Sequence, residues 1–284
     1  MKIRSVKVTV VEIPQIAPIA PYRSHIRSSS TTTSGIVEIA TESGITGLGE
    51  FNLNFLPGLD SAQMQEDAQW VLGRDARNIE DFHAACPLET RLKSGIEIAM
   101  WDAAGKAAGV PVATLLGGIL RPRVELAACM GIQAYEKAGE IASLYVEQGF
   151  TTLKTKAGSD LHEDLEMVRG IRDAVGMNLK LRIDPNRAYS PDAALELCRQ
   201  LEQYELEYLE QPIPAEPLAD AVWLRSQTQV PIALNESVIG PDTAWDILQQ
   251  GASELLLPDT HIAGGILPCV KIGHLAESAG ATCI

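Results

Sequence analysis

The sequence predicts an α/β protein organised as a TIM-type (β/α) barrel, incomplete in this chain, behind an N-terminal α+β domain. Three observations carry this. From residue 124 onward short apolar runs alternate with helical stretches, the pattern of a parallel sheet with crossover helices. Within that region Asp184, Glu210 and Glu236 each close an apolar run and stand 26 residues apart, about the length of one βα unit. Residues 1–120 read differently, with alternating strands, a hairpin signal and then helices.

Residues 2–13 alternate as a half-buried strand does, and residues 35–41 form a second run of that kind. The turn residues of 42–47 join it to a third strand at 48–51, an antiparallel hairpin. Two segments, 16–34 (rich in Pro, Ser and Thr) and 52–60, read as mobile surface loops and candidate substrate contacts. Residues 92–108 predict a helix with Ile96, Met100, Ala103 and Ala104 on one face, stopped by Gly109 and Pro111. The junction falls at 116–122, giving domains 1–120 and 121–284. Seven candidate strands follow, at 124–130, 151–156, 179–183, 206–209, 230–235, 254–258 and 281–284. Between the third and fourth, Ser190-Pro191-Asp192 supplies the cap and first turn of a helix over 190–204.

A formal net charge of −14 disfavours nucleic acid and anionic membranes as partners. No apolar run approaches membrane-spanning length, and the N-terminus lacks the apolar core and cleavage site of a signal peptide, so a cytoplasmic protein is expected. The five cysteines show no CxxC spacing and are odd in number, which predicts reduced thiols, mostly buried, and no disulfide framework.

Parallel strands in a barrel place the ends that bear Asp184, Glu210 and Glu236 at one mouth. Oxygen-only ligands with no thiolate favour a hard cation, Mg²⁺ first and Mn²⁺ second. At the end of the second barrel strand Lys154 and Lys156 share one face by the period of two. Two inward ammonium groups repel and are costly to desolvate, and both effects depress a lysine pKa. One lysine of the pair is thereby suited to act as a general base while the other holds an anion.

Together these motifs resemble the enolase superfamily, in its mandelate racemase and muconate lactonizing enzyme-like division, over nearly the whole chain. The hairpin with Gly47-Leu48-Gly49-Glu50, the stretch from Ile96 to Asp102 and Leu115-Leu116-Gly117-Gly118 are similar to that family's α+β capping domain and junction. The resemblance implies Lys156 as base, Lys154 as its charged partner, and Asp184 and Glu210 as the first two Mg²⁺ ligands, with Asn186 nearby. For the third ligand the chain reads Asn235-Glu236-Ser237; the racemase-like branch places a Glu where Glu236 stands, so Glu236 is assigned and Asn235 kept as its alternative. Counting back from Gly264-Gly265, Asp259 stands where the cycloisomerase-like branch has a second lysine. In the racemase-like branch that aspartate orients a histidine on the seventh strand, a position that would fall just beyond Ile284. The chain is therefore expected to be a C-terminally truncated form of a longer protein.

The resemblance implies an enzyme that removes the proton α to a carboxylate of a small molecule and passes through an enediolate. Dehydration of a hydroxy acid or sugar acid is placed first, and racemisation or epimerisation of a carboxylic acid or amino-acid derivative second. A non-catalytic remnant is the third reading. Tyr22, Arg23 and His25 of the first loop are candidate substrate contacts, His261 reads as a solvated loop residue, and the family implies a homo-oligomer.

Overall fold

The computed structural model describes residues 1–54 and 60–284, so most of the expected loop at 52–60 lies outside the described residues. The strands of the first part are β1 (Ile3–Pro14), β2 (Tyr22–Arg23), β3 (Ser28–Ser29), β4 (Thr31–Thr41) and β5 (Thr46–Asn52). Helices α1 (Ser61–Ala68), α2 (Ile79–Ala85), α3 (Thr90–Ala108) and α4 (Val112–Leu115) follow. Thereafter strand and helix alternate: β6 (Ala128–Met130), α5 (Tyr135–Glu147), β7 (Thr152–Lys156), α6 (Leu161–Val175), β8 (Lys180–Asp184), α7 (Pro191–Leu201), β9 (Tyr208–Glu210) and α8 (Leu218–Gln227). The series ends with β10 (Ile232–Leu234), α9 (Pro241–Gln250), β11 (Leu255–Leu256), α10 (Thr260–Ala263), α11 (Ile266–Ser278) and β12 (Thr282–Cys283).

The chain forms two compact units, each drawn from three stretches of sequence. One holds Met1–Ile13, Thr31–Val124 and Asp259–Lys271; the other holds Pro14–Ser30, Glu125–Pro258 and Ile272–Ile284.

In the first unit β1, β4 and β5 form a sheet in that order, with β4 and β5 antiparallel from Ser34 opposite Asn52 to Ala40 opposite Thr46. Strand β4 begins at Thr31, so part of the expected loop is sheet. Helix α3 starts where the Glu89 carboxylate accepts the Arg91 and Leu92 amides, and stops at Gly109 in the left-handed region (φ 68°). Its small-residue face meets β5 backbone to backbone: a Cβ on Gly49 would lie 1.9 Å from the Gly95 carbonyl oxygen, and one on Gly47 2.0 Å from that of Ala99. Val37, Ile39, Phe51, Leu92, Ile96 and Met100 fill the core around this contact. Within it sits a fully buried carboxylate, Glu97, whose oxygens accept the Ile266 and Leu267 amides at 2.8 Å each and the Trp101 indole N–H at 2.9 Å. Glu97 thereby satisfies the start of α11, and its charge suits the positive end of that helix.

The second unit is built on seven strands in the order β12-β11-β10-β9-β8-β7-β6, every neighbouring pair parallel. This is the α/β, TIM-type arrangement, and its strands are dry: Leu153, Leu181, Leu209, Ala233 and Leu234 are fully buried. The first strand starts at Ala128 rather than at 124, and Val124 and Leu126 before it are exposed. Residues 22–29, read as loop, form the antiparallel ribbon β2–β3. In the register of β7 and β8, Lys156 stands beside Asp184 and Lys154 beside Arg182. The cysteines are all free, with Cys198 buried and Cys283 exposed. No helix among the described residues is long and apolar enough to cross a membrane.

Candidate active site

Parallel register and the two-residue side-chain period bring the strand-end groups of β7, β8 and β9 together. The Lys154 ammonium lies 3.0 Å from Asp184 Oδ2 and 2.6 Å from Glu210. The Lys156 Nζ lies 2.5 Å from Asp184 Oδ2 and donates to Asn186 Oδ1 at 2.6 Å. Asn186 in turn donates its backbone N–H to Asp184 Oδ1 (3.0 Å) and its side-chain amide to Glu236 Oε1 (3.1 Å). The result is an unbroken polar chain from Glu210 through Lys154, Asp184, Lys156 and Asn186 to Glu236. Asn235 turns away, its amide donating to the Leu257 carbonyl at 2.8 Å.

Charge and burial compete along this chain. Burial alone would raise Asp184, but the two ammonium groups and their hydrogen bonds hold its carboxyl below the usual range. Glu210 is pushed up to about 7, chiefly by burial and then by the charge of Asp184, against the pull of Lys154. Glu236 is raised by the same two causes. For Lys154 burial and charge pull in opposite directions. Burial lowers it, yet Asp184 and Glu210 together outweigh burial and hold its ammonium well above the ordinary lysine range.

As they stand, the described residues draw no group of three or more His, Cys, Asp or Glu together closely enough to hold a metal ion. The ammonium groups of Lys154 and Lys156 lie among the carboxylates instead. The donor set nonetheless fits a hard divalent cation. Glu236 Oε2 is buried with no hydrogen-bond partner, and so is Glu210 Oε2, which lies 2.6 Å from the Lys154 Nζ without hydrogen-bonding alignment. Buried carboxylate oxygens without partners are costly, and a small oxygen-seeking cation would satisfy them.

The loop candidates are positioned on the ribbon. The Tyr22 hydroxyl lies 3.3 Å from Cys129 Sγ; its pKa is raised far above the ordinary value by burial, then by Cys129, with Asp184 and Glu210 adding to it. Arg23 is engaged by Glu163 through both terminal nitrogens (2.6 and 3.1 Å) and by Ser159. His25 keeps Nδ1 buried and unpartnered; burial lowers its pKa, and Lys156 and Arg187 push it the same way. Asp259 and His261 belong to the other compact unit. There the Asp259 carboxylate caps α10 by accepting the His261 amide at 2.7 Å. His261 is on that short helix with its ring 3.6 Å from Glu50, rather than in a solvated loop.

Sequence reasoning passed over two residues. Gln211, fully buried, takes a left-handed conformation (φ 36°), and its Oε1 accepts the amides of both Asn235 and Ser237 at 3.1 Å, the two neighbours of Glu236. Its carbonyl accepts the Arg187 amide at 2.8 Å. Arg187 is the second. Only the position of Gln211, between Glu210 and Pro212 at a strand end, hinted at such a role; the hydrogen bonds themselves are tertiary and leave no local pattern.

Two family models match the chain: the mandelate racemase / muconate lactonizing enzyme N-terminal domain over residues 5–117, and the enolase C-terminal domain-like family over residues 136–284. The chain belongs to the mandelate racemase and muconate lactonizing enzyme-like part of the enolase superfamily, and it is an enzyme of that group. It is 32% identical to a hydrophobic dipeptide epimerase of Enterococcus faecalis, over 88% of this chain and 73% of that one. A crystal structure of dipeptide epimerase from Enterococcus faecalis V583, complexed with Mg and the dipeptide L-Leu-L-Tyr, superposes with a TM-score of 0.91 at 30% identity, covering 100% of this chain and 82% of that one. A D-gluconate dehydratase of Thermoproteus tenax is 29% identical, over 94% of this chain and 58% of that enzyme.

Proposed function

We propose that this protein removes the proton α to a carboxylate and returns it on the opposite face, racemising or epimerising an amino-acid derivative such as a dipeptide. The observation that carries this is the convergence of Lys154 and Lys156 on Asp184, with Glu210, Asn186 and Glu236 in the same polar chain. The relatives support epimerisation over dehydration, which reverses the order that the sequence suggested.

Asp184, Glu210 and Glu236 would hold Mg²⁺, which supplies positive charge against the negative charge that builds on the substrate carboxylate. Lys156, the more enclosed of the two lysines, is placed to receive the α-proton. Lys154, held in its charged form, steadies the substrate carboxylate. Asn186 fixes the Lys156 amine by accepting from it while donating to Glu236, so base and ligand share one positioning residue. Asp259 is proposed to take part in returning the proton, on the strength of its place before Gly264-Gly265.

The test is deuterium uptake at the α-carbon, followed by NMR, for dipeptides and for hydroxy acids with Mg²⁺ present. Wild type should exchange dipeptides with change of configuration, and Lys156→Ala should lose about 10³-fold in rate. Undiminished exchange in Lys156→Ala refutes the assigned base, and loss of water from the substrate would restore dehydration as the leading reaction.

A further inference from the structure

We infer that Arg187 sets specificity at this site by receiving a second carboxylate on the substrate, so that diacids are preferred; this rests on the reading that the site takes an acid at its α-carbon. Asn186 and Arg187 both adopt left-handed backbone, at φ 48° and 69°. A glycine would accept that conformation freely and an asparagine readily, whereas an arginine held there is strained. The chain nevertheless carries an arginine at residue 187, and pins its backbone by the Arg187 N–H donating to the Gln211 carbonyl at 2.8 Å.

The guanidinium makes one loose ion pair, to Glu236. Its Nε lies 3.5 Å from Glu236 Oε1, beyond good hydrogen-bond length, and the side chain is 48% exposed. The other cations of this unit near the site are committed: Lys154 to Asp184 and Glu210, Lys156 to Asp184 and Asn186, Arg23 to Glu163 and Ser159. A contact made only to neutralise Glu236 would close to a two-point pair, as Arg23 does with Glu163. The Arg187 fork instead retains donors that match the planar geometry of a carboxylate. Its charge also acts on His25, whose buried Nδ1 has no partner and offers a further polar contact to the same ligand group.

The test uses pairs of acids that differ only by a second carboxylate: L-alanyl-L-glutamate with L-alanyl-L-glutamine, and L-malate with its β-amide. Binding to the full-length Mg²⁺-loaded protein is measured by calorimetry. The diacid of at least one pair should bind about tenfold or more tightly, as a charged hydrogen bond implies. Arg187→Met should abolish that preference and Arg187→Lys retain part of it. Arg187→Gly removes the charge while relieving the backbone, so a loss of preference there cannot be put down to misfolding. Equal binding within both pairs, a preference that survives in Arg187→Gly, or no binding of any member overturns the inference. A preference that holds while no acid exchanges its α-proton leaves the inference standing and counts against the proposed function alone.

Discussion

Each unit of the molecule buries carboxylates, but the two settings differ in what surrounds the oxygens. Glu97 in the first unit is completely enclosed and satisfied, by two backbone amides at the start of α11 and by the Trp101 indole. In the second, Glu210 is nearly as enclosed and Glu236 is partly buried, yet each keeps a buried oxygen without a hydrogen bond, and both are driven toward the protonated form by burial and by Asp184. Burial alone therefore does not mark a functional acid. A carboxylate whose lone pairs are all used holds the fold together, and one left short of donors is open to a cation.

Substitutions should separate the two settings. The largest effect is expected on the second unit's chemistry: Asp184→Asn or Glu210→Gln should abolish Mg²⁺ binding by calorimetry, while circular dichroism stays native. Next comes Glu97→Ala, which strands the α11 amides and the Trp101 N–H. It should cost about 3 kcal/mol in urea unfolding. If Glu97→Ala instead left stability unchanged and Glu210→Gln unfolded the protein, the contrast would fail. Gln211→Leu should weaken Mg²⁺ binding about tenfold by freeing the loop around Glu236, as loss of a residue supporting a ligand does.

The smallest effect is a pH dependence. Glu210 sits at about 7 in the fold against an ordinary value of 4.5, so between those values the folded state binds more protons than the unfolded one. Stability of the metal-free protein should consequently fall as pH rises through that window, and Mg²⁺ affinity should rise through it as the proton leaves. Asp184 acts in the opposite sense on the acid side, because its lowered pKa contributes stability that is lost as pH falls below its ordinary range. Thermal melts with and without Mg²⁺ from pH 5 to 8 should show curves that diverge with pH; parallel curves would remove Glu210 from the cation's ligands.

Much of this was legible because strands announce themselves. The apolar runs ending at Asp184 and Glu210, and the threonine-rich alternation ending at Lys156, place those strands within a residue or two. Glu97 was not legible: on a helix, one glutamate among apolar residues reads as surface until its tertiary partners at Ile266 and Leu267 are known. The ribbon over 22–29 has strands of two residues, too short for any periodicity. The left-handed turns at Asn186, Arg187 and Gln211 depend on contacts between three strand ends, and the balance of burial against the charges of Asp184 and Glu210 at Lys154 depends on tertiary neighbours as well.

The alignment of Lys156 with Asp184 on neighbouring strands has an evolutionary corollary. Side-chain direction along a strand is a matter of parity, so the site depends on register in an all-or-none way. Point substitutions in β7 can tune the lysines, but a single inserted or deleted residue within it would turn both ammonium groups to the opposite face at once. Length variation in this chain's descendants should therefore collect in the connecting loops, with the five residues of β7 among the most intolerant of any change in number.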